Sequence, residues 1–255
     1  MENTNYGDTV NLDESINGHS FTYGWLLDSL RKNDKIYQKL HGNRGVKAIS
    51  ACDVSGGKGF FSAIHRCIIT FTDSNKNSDT DYYSTILKIP GFTSFQEAQS
   101  QSDIPKELLD KSIKEKCENM HKFECNFYNG ISQILDAPVP IVYKTVEWIL
   151  EKQEGCIHME DLTLRAKTIS FFDNINLTHV KFFIQCLTKM HKNILFVNPK
   201  VWKGKFVQGQ NCYVDFFDMY ESGYETFLKR NKNYGNFFGT LKFDLLFKFS
   251  KKILN

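Results

Sequence analysis

The sequence lacks several features that would place a protein in a functional class at once. Its 32 basic and 29 acidic side chains leave a formal net charge of only +3, too little for general nucleic-acid binding. No apolar run approaches the ~18 residues that a membrane span needs, and residues 1–5 contain no basic or apolar stretch typical of a secretory signal. We therefore expect a cytoplasmic, globular protein without a transmembrane segment.

Cysteine occurs without the spacing of a metal site or a disulfide framework. The seven cysteines are scattered, odd in number and never arranged as Cys-x-x-Cys. This distribution argues against structural zinc and disulfides, and it favours free, buried thiols in a reducing compartment. The sequence therefore predicts no metal site.

The stretch from residue 53 to residue 90 is organised as strand, glycine-rich turn, strand, polar turn and strand. The third strand carries Lys88, and the first turn contains Gly56, Gly57, Lys58, Gly59, Phe60 and Ser62. Because glycine has no Cβ, backbone N–H groups can approach an anion closely, and a strand lysine can place its ammonium on the same anion. The pattern is typical of a phosphate-binding site in a kinase lobe. An ordinary hairpin turn has the same glycine requirement, so both interpretations stay open.

Helical periodicity is found on both sides of this stretch. A first helix is predicted over residues 21–40, and a long helix of about 28 residues is predicted from Lys106, with Glu124 on it. Asn176 is a plausible cap of a further helix over residues 177–191.

Three other segments carry simple expectations. Residues 94–105 are polar and are predicted to be a flexible connection, whereas residues 145–150 and 155–159 are predicted to pair as a hairpin. Residues 240–254 have the pattern of an amphipathic helix.

Six motifs follow one another over roughly residues 20–250. They are Gly59-Phe60-Phe61-Ser62, Leu87-Lys88-Ile89-Pro90-Gly91, Glu124-Cys125-Asn126-Phe127-Tyr128, Pro140-Ile141-Val142-Tyr143, Gly155-Cys156-Ile157-His158-Met159-Glu160-Asp161-Leu162 and Leu187-Thr188-Lys189-Met190-His191. In this order they resemble the nematode CHK kinase-like family, relatives of ecdysteroid kinases, choline kinases and aminoglycoside phosphotransferases.

The resemblance implies an α+β fold of the two-lobe, protein-kinase-like type. Residues 1–19 would be a flexible lead-in. Residues 20–160 would form the N-lobe, an antiparallel sheet with one long helix, and residues 161–255 an incomplete helical C-lobe.

The resemblance also implies roles for single residues. Residues 56–62 would cover a bound nucleotide, Lys88 would contact the α- and β-phosphates of ATP, and Glu124 would hold Lys88. The hinge against adenine would be formed by Met159, Glu160 and Asp161.

The sequence departs from the family at the catalytic loop. In the family a His-Gly-Asp loop and a magnesium-binding aspartate follow, whereas none of the seven histidines here has an aspartate two residues on. Magnesium would then require a further C-terminal part. Losing the base and the metal ligands together would slow phosphoryl transfer by roughly 10⁵-fold or more. The leading interpretation is a truncated, catalytically inactive kinase-like protein without catalytic residues, which keeps weak affinity for ATP.

Two alternatives stay open. In the first, the sequence is an incomplete product of an active kinase that transfers the γ-phosphate to a steroid- or choline-like alcohol. In the second, it is an interaction module without a nucleotide role, whose exposed C-lobe surface meets a protein partner.

Overall fold

The structure is a computed structural model that describes residues 6–55, 61–74, 81–100, 111–167, 174–204 and 229. The chain divides into two units, Met1–Val197 and Asn198–Asn255. Every element named below belongs to the first unit, except a 3₁₀ turn at Pro199–Val201 in the second. The lobe boundary predicted at residue 160 stays a prediction.

Five antiparallel strands form one sheet in the order β1-β2-β3-β5-β4. Their bounds are β1 Val46–Asp53, β2 Ser62–Phe71, β3 Tyr82–Pro90, β4 Val142–Val146 and β5 Cys156–Glu160. Along β2, side chains from His65 to Phe71 are alternately buried and half-buried, as expected for a strand whose two faces meet different surroundings. Together with the helices described next, this sheet confirms the α+β class.

Two helices, α1 Tyr23–Asn33 and α2 Lys35–His41, cover one face of the sheet. The prediction of one helix over residues 21–40 is wrong at Asp34, whose backbone is extended. Asp34 ends α1 and caps α2, because its carboxylate accepts hydrogen bonds from the N–H groups of Ile36 and Tyr37.

The core between α1 and the sheet is apolar and closed to solvent. Leu26, Leu27 and Leu30 lie on one side of α1 and are at most 1% exposed. They belong to one cluster with strand residues Val46, Ile49, Cys67, Ile69, Phe71, Leu87, Ile89 and Cys156. This packing leaves the opposite face of the sheet for the long helix.

That long helix is α4 Lys111–Asn126, which continues as a π-helix over Phe127–Ile131 and as α5 Ser132–Leu135. Helical structure is therefore confirmed for the described part of the predicted segment, from residue 111 to residue 135. Cys125 of α4 packs with Ile86, Ile157 and Met159 on the second face of the sheet. The sheet thus lies between two apolar layers.

One prediction about local structure is wrong, and a second is right in kind but not in its bounds. Residues predicted as a flexible connection contain α3 Thr93–Ser100, whose Phe95 is buried and stacks on Phe61 with ring centroids 5.4 Å apart. The predicted hairpin is present, since Thr145 and Val146 pair with Ile157 and Cys156, but its first strand is β4 Val142–Val146, and residues 147–155 form the connection between the two strands. Both differences concern contacts that a local pattern does not contain.

The last described helix is α6 Leu177–Phe196. Its predicted cap is confirmed, since the Asn176 side chain accepts from the N–H of His179 in a capping box. Many apolar side chains of α6 are exposed, by 41% to 83%: Leu177, Val180, Phe182, Phe183, Ile184, Leu195 and Phe196. The helix predicted at residues 240–254 lies outside the described residues.

Of the helices in the described ranges, none has both the length and the apolar character that crossing a membrane requires.

Candidate functional site

An ion pair joins the central strand to the long helix. The Nζ atom of Lys88 on β3 lies 2.7 Å from both carboxylate oxygens of Glu124 on α4. The two side chains are 28% and 30% exposed, so the pair borders solvent. An ammonium has three N–H donors, and this geometry permits a further bond from Lys88 to an incoming anion.

The alternation of β3 explains why Lys88 points towards α4. Its neighbours Leu87 and Ile89 are 0% and 2% exposed and belong to the core on the α1 side. Successive strand side chains point to opposite faces, so Lys88 must lie on the other face. The structure therefore brings together two residues that the sequence singled out, while their role in nucleotide binding stays a prediction.

An apolar cluster lies on the same face as the ion pair. We call it the apolar platform, and it consists of Ile64, Ile86, Cys125, Tyr128, Val142, Ile157 and Met159. Ile86 precedes Lys88 by two residues on β3, and Ile86 pairs with Met159 on β5. A ligand with a flat apolar part and an anionic part would find complementary surfaces here.

Both ends of the glycine-rich turn are built into the sheet beside this site. The predicted residues 56–60 lie outside the described residues. Before the turn, the Asp53 carboxylate accepts a hydrogen bond from the Ser55 N–H at 2.7 Å. After it, Ser62 pairs with Pro90, two residues beyond Lys88. The turn thus begins on β1 and returns on the strand that pairs with β3.

The three predicted hinge residues are at the end of β5. Met159 is 9% exposed and belongs to the apolar platform. Glu160 accepts a hydrogen bond from the Ile141 N–H at 2.8 Å and pairs with Arg165. Its carboxylate is therefore already bonded to the residue before β4 and to a residue after β5.

Asp161 is held by four donor groups from three residues. Its carboxylate accepts from Ser84 Oγ at 2.6 Å, from Arg66 Nε at 2.9 Å, and from the N–H and the hydroxyl of Thr163 at 2.9 Å and 2.5 Å. Burial alone would raise the pKa of Asp161, but the hydrogen bonds from Ser84 and Thr163 outweigh it and lower the pKa. A ligand at this position would have to meet backbone groups, since both hinge carboxylates are occupied.

Arg66 and most of the apolar platform were not singled out from the sequence. One signal was present, because Arg66 follows Ile64 by two residues and therefore lies on the same face of β2. Its partner Asp161 is 95 residues away, however, and no local pattern encodes that pairing.

The described cysteines are free thiols. Of the six that the structure describes, Cys67, Cys117, Cys125 and Cys156 are buried. Burial raises the pKa of Cys67 and Cys125 to about 12, so both are neutral thiols near pH 7. Within the described ranges, no group of three or more His, Cys, Asp or Glu side chains is placed to hold a metal ion.

Comparison of the chain with protein-family models, with curated proteins and with solved structures finds no match. The resemblance to the CHK kinase-like family therefore stays a prediction from the sequence motifs.

Proposed function

We propose that this α+β unit is a kinase-like N-lobe that binds ATP at Lys88 without transferring its phosphate. The observation that carries the proposal is the ion pair of Lys88 and Glu124 beside the apolar platform. In this assignment Lys88 contacts the phosphates, and the base packs on Ile86 and Met159. The glycine-rich turn between β1 and β2 is assigned the backbone N–H groups that contact the phosphates.

A purely structural role explains this pair less well. A half-exposed ion pair contributes only about 0–1 kcal/mol to stability. A leucine at position 88 would extend the apolar surface of the sheet at no cost in desolvation. A lysine that follows Leu87 and precedes Ile89 in an apolar strand is better explained by a ligand that requires its charge.

Phosphoryl transfer is not part of the proposal, because the sequence contains no His-x-Asp segment. Affinity for a nucleotide needs neither the catalytic base nor the metal-binding aspartate that such a segment introduces.

Replacing Lys88 by methionine is expected to abolish most of the stabilisation that ATP provides. A ligand at about 100 times its Kd stabilises the folded state by about 2.7 kcal/mol, which corresponds to a rise in Tm of roughly 5–10 °C for a chain of this size. The measurement is the Tm with and without ATP for the wild-type chain and for Lys88→Met. Lys32→Met is the matched control, since Lys32 is an exposed helix lysine that forms a surface ion pair with Asp28.

Two outcomes would overturn the proposal. One is a wild-type chain whose Tm does not respond to ATP at any attainable concentration. The other is a Lys88→Met variant that keeps the full ATP-induced shift, because the phosphates would then bind elsewhere.

A second candidate, the interaction module, is favoured by the exposed apolar side chains of α6. The helix contains no acidic residue and carries Lys181, Lys189 and Lys192. A partner with acidic side chains around an apolar face would complement this surface. A monomer by light scattering that also binds no hydrophobic dye would contradict this candidate.

A further inference from the structure

Three polar residues lie at three-residue steps along α4, so they share one side of the helix. Each is bonded to a different segment of the chain. Glu118 Oε1 accepts from the N–H of Leu150 in the β4–β5 connection at 2.8 Å, His121 Nε2 lies 2.9 Å from the carbonyl oxygen of Val146 at the end of β4, and Glu124 meets Lys88. The helix is therefore attached to the end of β4 and to the β4–β5 connection before the residue that holds Lys88.

His121 is the buried member of this series. It is 4% exposed, and a carbonyl oxygen only accepts, so Nε2 must carry the proton and donate it to Val146. Burial lowers the pKa of His121, and the imidazole is neutral near pH 7. Replacing His121 by an apolar residue would remove this bond from the partly buried Val146 carbonyl.

The space around His121 depends on a glycine. A Cβ atom at Gly155 would lie 2.6 Å from His121 Nε2 and 2.6 Å from the Trp148 Cβ, both closer than such contacts occur. Gly155 therefore lets the β4–β5 connection approach the imidazole. At this point the backbone of Gly155 packs closely against both the His121 imidazole and the Trp148 side chain.

The free-energy contributions of the Lys88–Glu124 ion pair and of the His121 hydrogen bond indicate which of them positions α4. The Lys88–Glu124 pair borders solvent and contributes about 0–1 kcal/mol, whereas an unpaired buried polar group costs about 1–3 kcal/mol. The bond of the buried His121 side chain is thus better able to position α4 than the ion pair is. Beyond Glu124, Cys125 and Tyr128 also contact the sheet as parts of the apolar platform, so His121 shares the positioning of α4 with this packing.

We propose that His121 is a positioning residue for the nucleotide site, with Glu118 as a second anchor. The inference rests on the proposed function. His121 fixes the height of α4 over the sheet, and Glu124 then holds the Lys88 ammonium where the phosphates bind. Without the His121 bond, α4 shifts relative to the sheet, the Lys88–Glu124 bond is weakened, and Lys88 is no longer held towards the phosphates.

Ligands with and without phosphates separate this role from a general structural one. Adenosine would use the apolar platform alone, whereas ATP would also use Lys88. The quantity to measure is the ratio of the Kd for adenosine to the Kd for ATP, determined by titration calorimetry. His121→Leu is expected to lower this ratio roughly tenfold or more, the effect of weakening one hydrogen bond to a charged group. The Kd for adenosine should change less than about twofold.

His121→Gln serves as the conservative variant and Lys122→Leu as the control. His121→Gln keeps an N–H that can reach Val146 and should restore most of the ratio. Lys122→Leu changes the adjacent, exposed residue of α4 and should leave the ratio as in the wild-type chain. If His121→Leu does not fold by circular dichroism, Glu118→Leu tests the second anchor and should lower the ratio in the same direction.

The outcomes distinguish the inference from the proposed function. If Lys88→Met lowers ATP affinity while the folded anchor variants leave the ratio unchanged, the positioning role is wrong and the nucleotide site stands. If the wild-type chain binds ATP no better than adenosine and Lys88→Met changes nothing, both are overturned.

Discussion

Between pH 7 and pH 5 the free energy of unfolding is expected to fall by about 2 kcal/mol through His158 alone. His158 on β5 is fully buried. Its Nε2 lies 2.8 Å from Thr85 Oγ1, which itself donates to the Met159 carbonyl, so Nε2 donates to Thr85. Its Nδ1 then accepts from Ser29 Oγ at 2.7 Å. The neutral imidazole satisfies every polar atom in this cluster.

The sign of the effect follows from the two protonation states. Burial, assisted by the nearby Lys144 charge, lowers the pKa of His158 to about 3 in the folded protein. In the unfolded chain its pKa is about 6.5, so below that pH the unfolded state binds more protons than the folded state. Stability is therefore lost as the pH falls from about 6.5 towards 3. Carboxylates of ordinary pKa stay largely ionised above pH 5, and the histidines dominate the change in this window.

His158→Gln tests this expectation by urea unfolding at pH 7, 6 and 5. The variant has a lower free energy of unfolding at pH 7. Between pH 7 and pH 5, however, its free energy of unfolding should fall by about 2 kcal/mol less than that of the wild-type chain. Ser29→Ala is the matched control, because it removes one partner and keeps the buried imidazole. Burial also lowers the pKa of His41, His65 and His121, so some decline persists in every variant. An identical decline with and without His158 would contradict the prediction.

Replacing Asp34 by alanine is expected to lower the free energy of unfolding by about 2–4 kcal/mol. Asp34 is 2% exposed and caps α2 with Oδ1, a contribution of about 1 kcal/mol. Its Oδ2 accepts a hydrogen bond from the Tyr83 hydroxyl, and losing that acceptor costs about 1–3 kcal/mol. Burial and the bond to Asp34 raise the pKa of Tyr83, so the hydroxyl remains a donor across the neutral range.

A double-mutant cycle in urea checks this account. Tyr83→Phe in the Asp34→Ala background removes a hydroxyl that has lost its Asp34 acceptor and keeps only the 3.4 Å contact with the Tyr143 hydroxyl, so it should cost little further stability. The same change in the wild-type chain should cost about 1 kcal/mol or more. Asp34→Asn keeps an oxygen acceptor for the cap and should cost less than alanine. Equal costs of Tyr83→Phe in both backgrounds would show that the two side chains are not coupled.

Elements whose stability lies in their own residues were predictable. The order strand, glycine-rich turn, strand, polar turn and strand predicted over residues 53–90 is confirmed for the second and third strands, β2 and β3, because apolar runs bounded by turn residues carry that signal locally. Asn176 was recognised as a cap because its acceptor and the N–H of His179 are three residues apart.

Elements that depend on distant partners were not. The apolar spacing across Asp34 is that of one helix, and the break is stabilised by Tyr83, 49 residues away. The α3 helix has a polar sequence and is stabilised where Phe95 is buried against Phe61. The β4–β5 hairpin was predicted, but its first strand was placed at residues 145–150 instead of Val142–Val146, because strand register depends on which residues face the core, and that choice was open locally.

The candidate site shows the same division. By itself the sequence determined that Lys88 lies on an apolar strand, opposite in direction to Leu87 and Ile89, and that Glu124 lies on a long helix. Only the tertiary structure decided that their charged atoms meet at 2.7 Å. The reason is physical: two residues 36 positions apart meet only if the height of α4 over the sheet is set. That height depends on contacts such as His121 with Val146, which form only when the chain has folded.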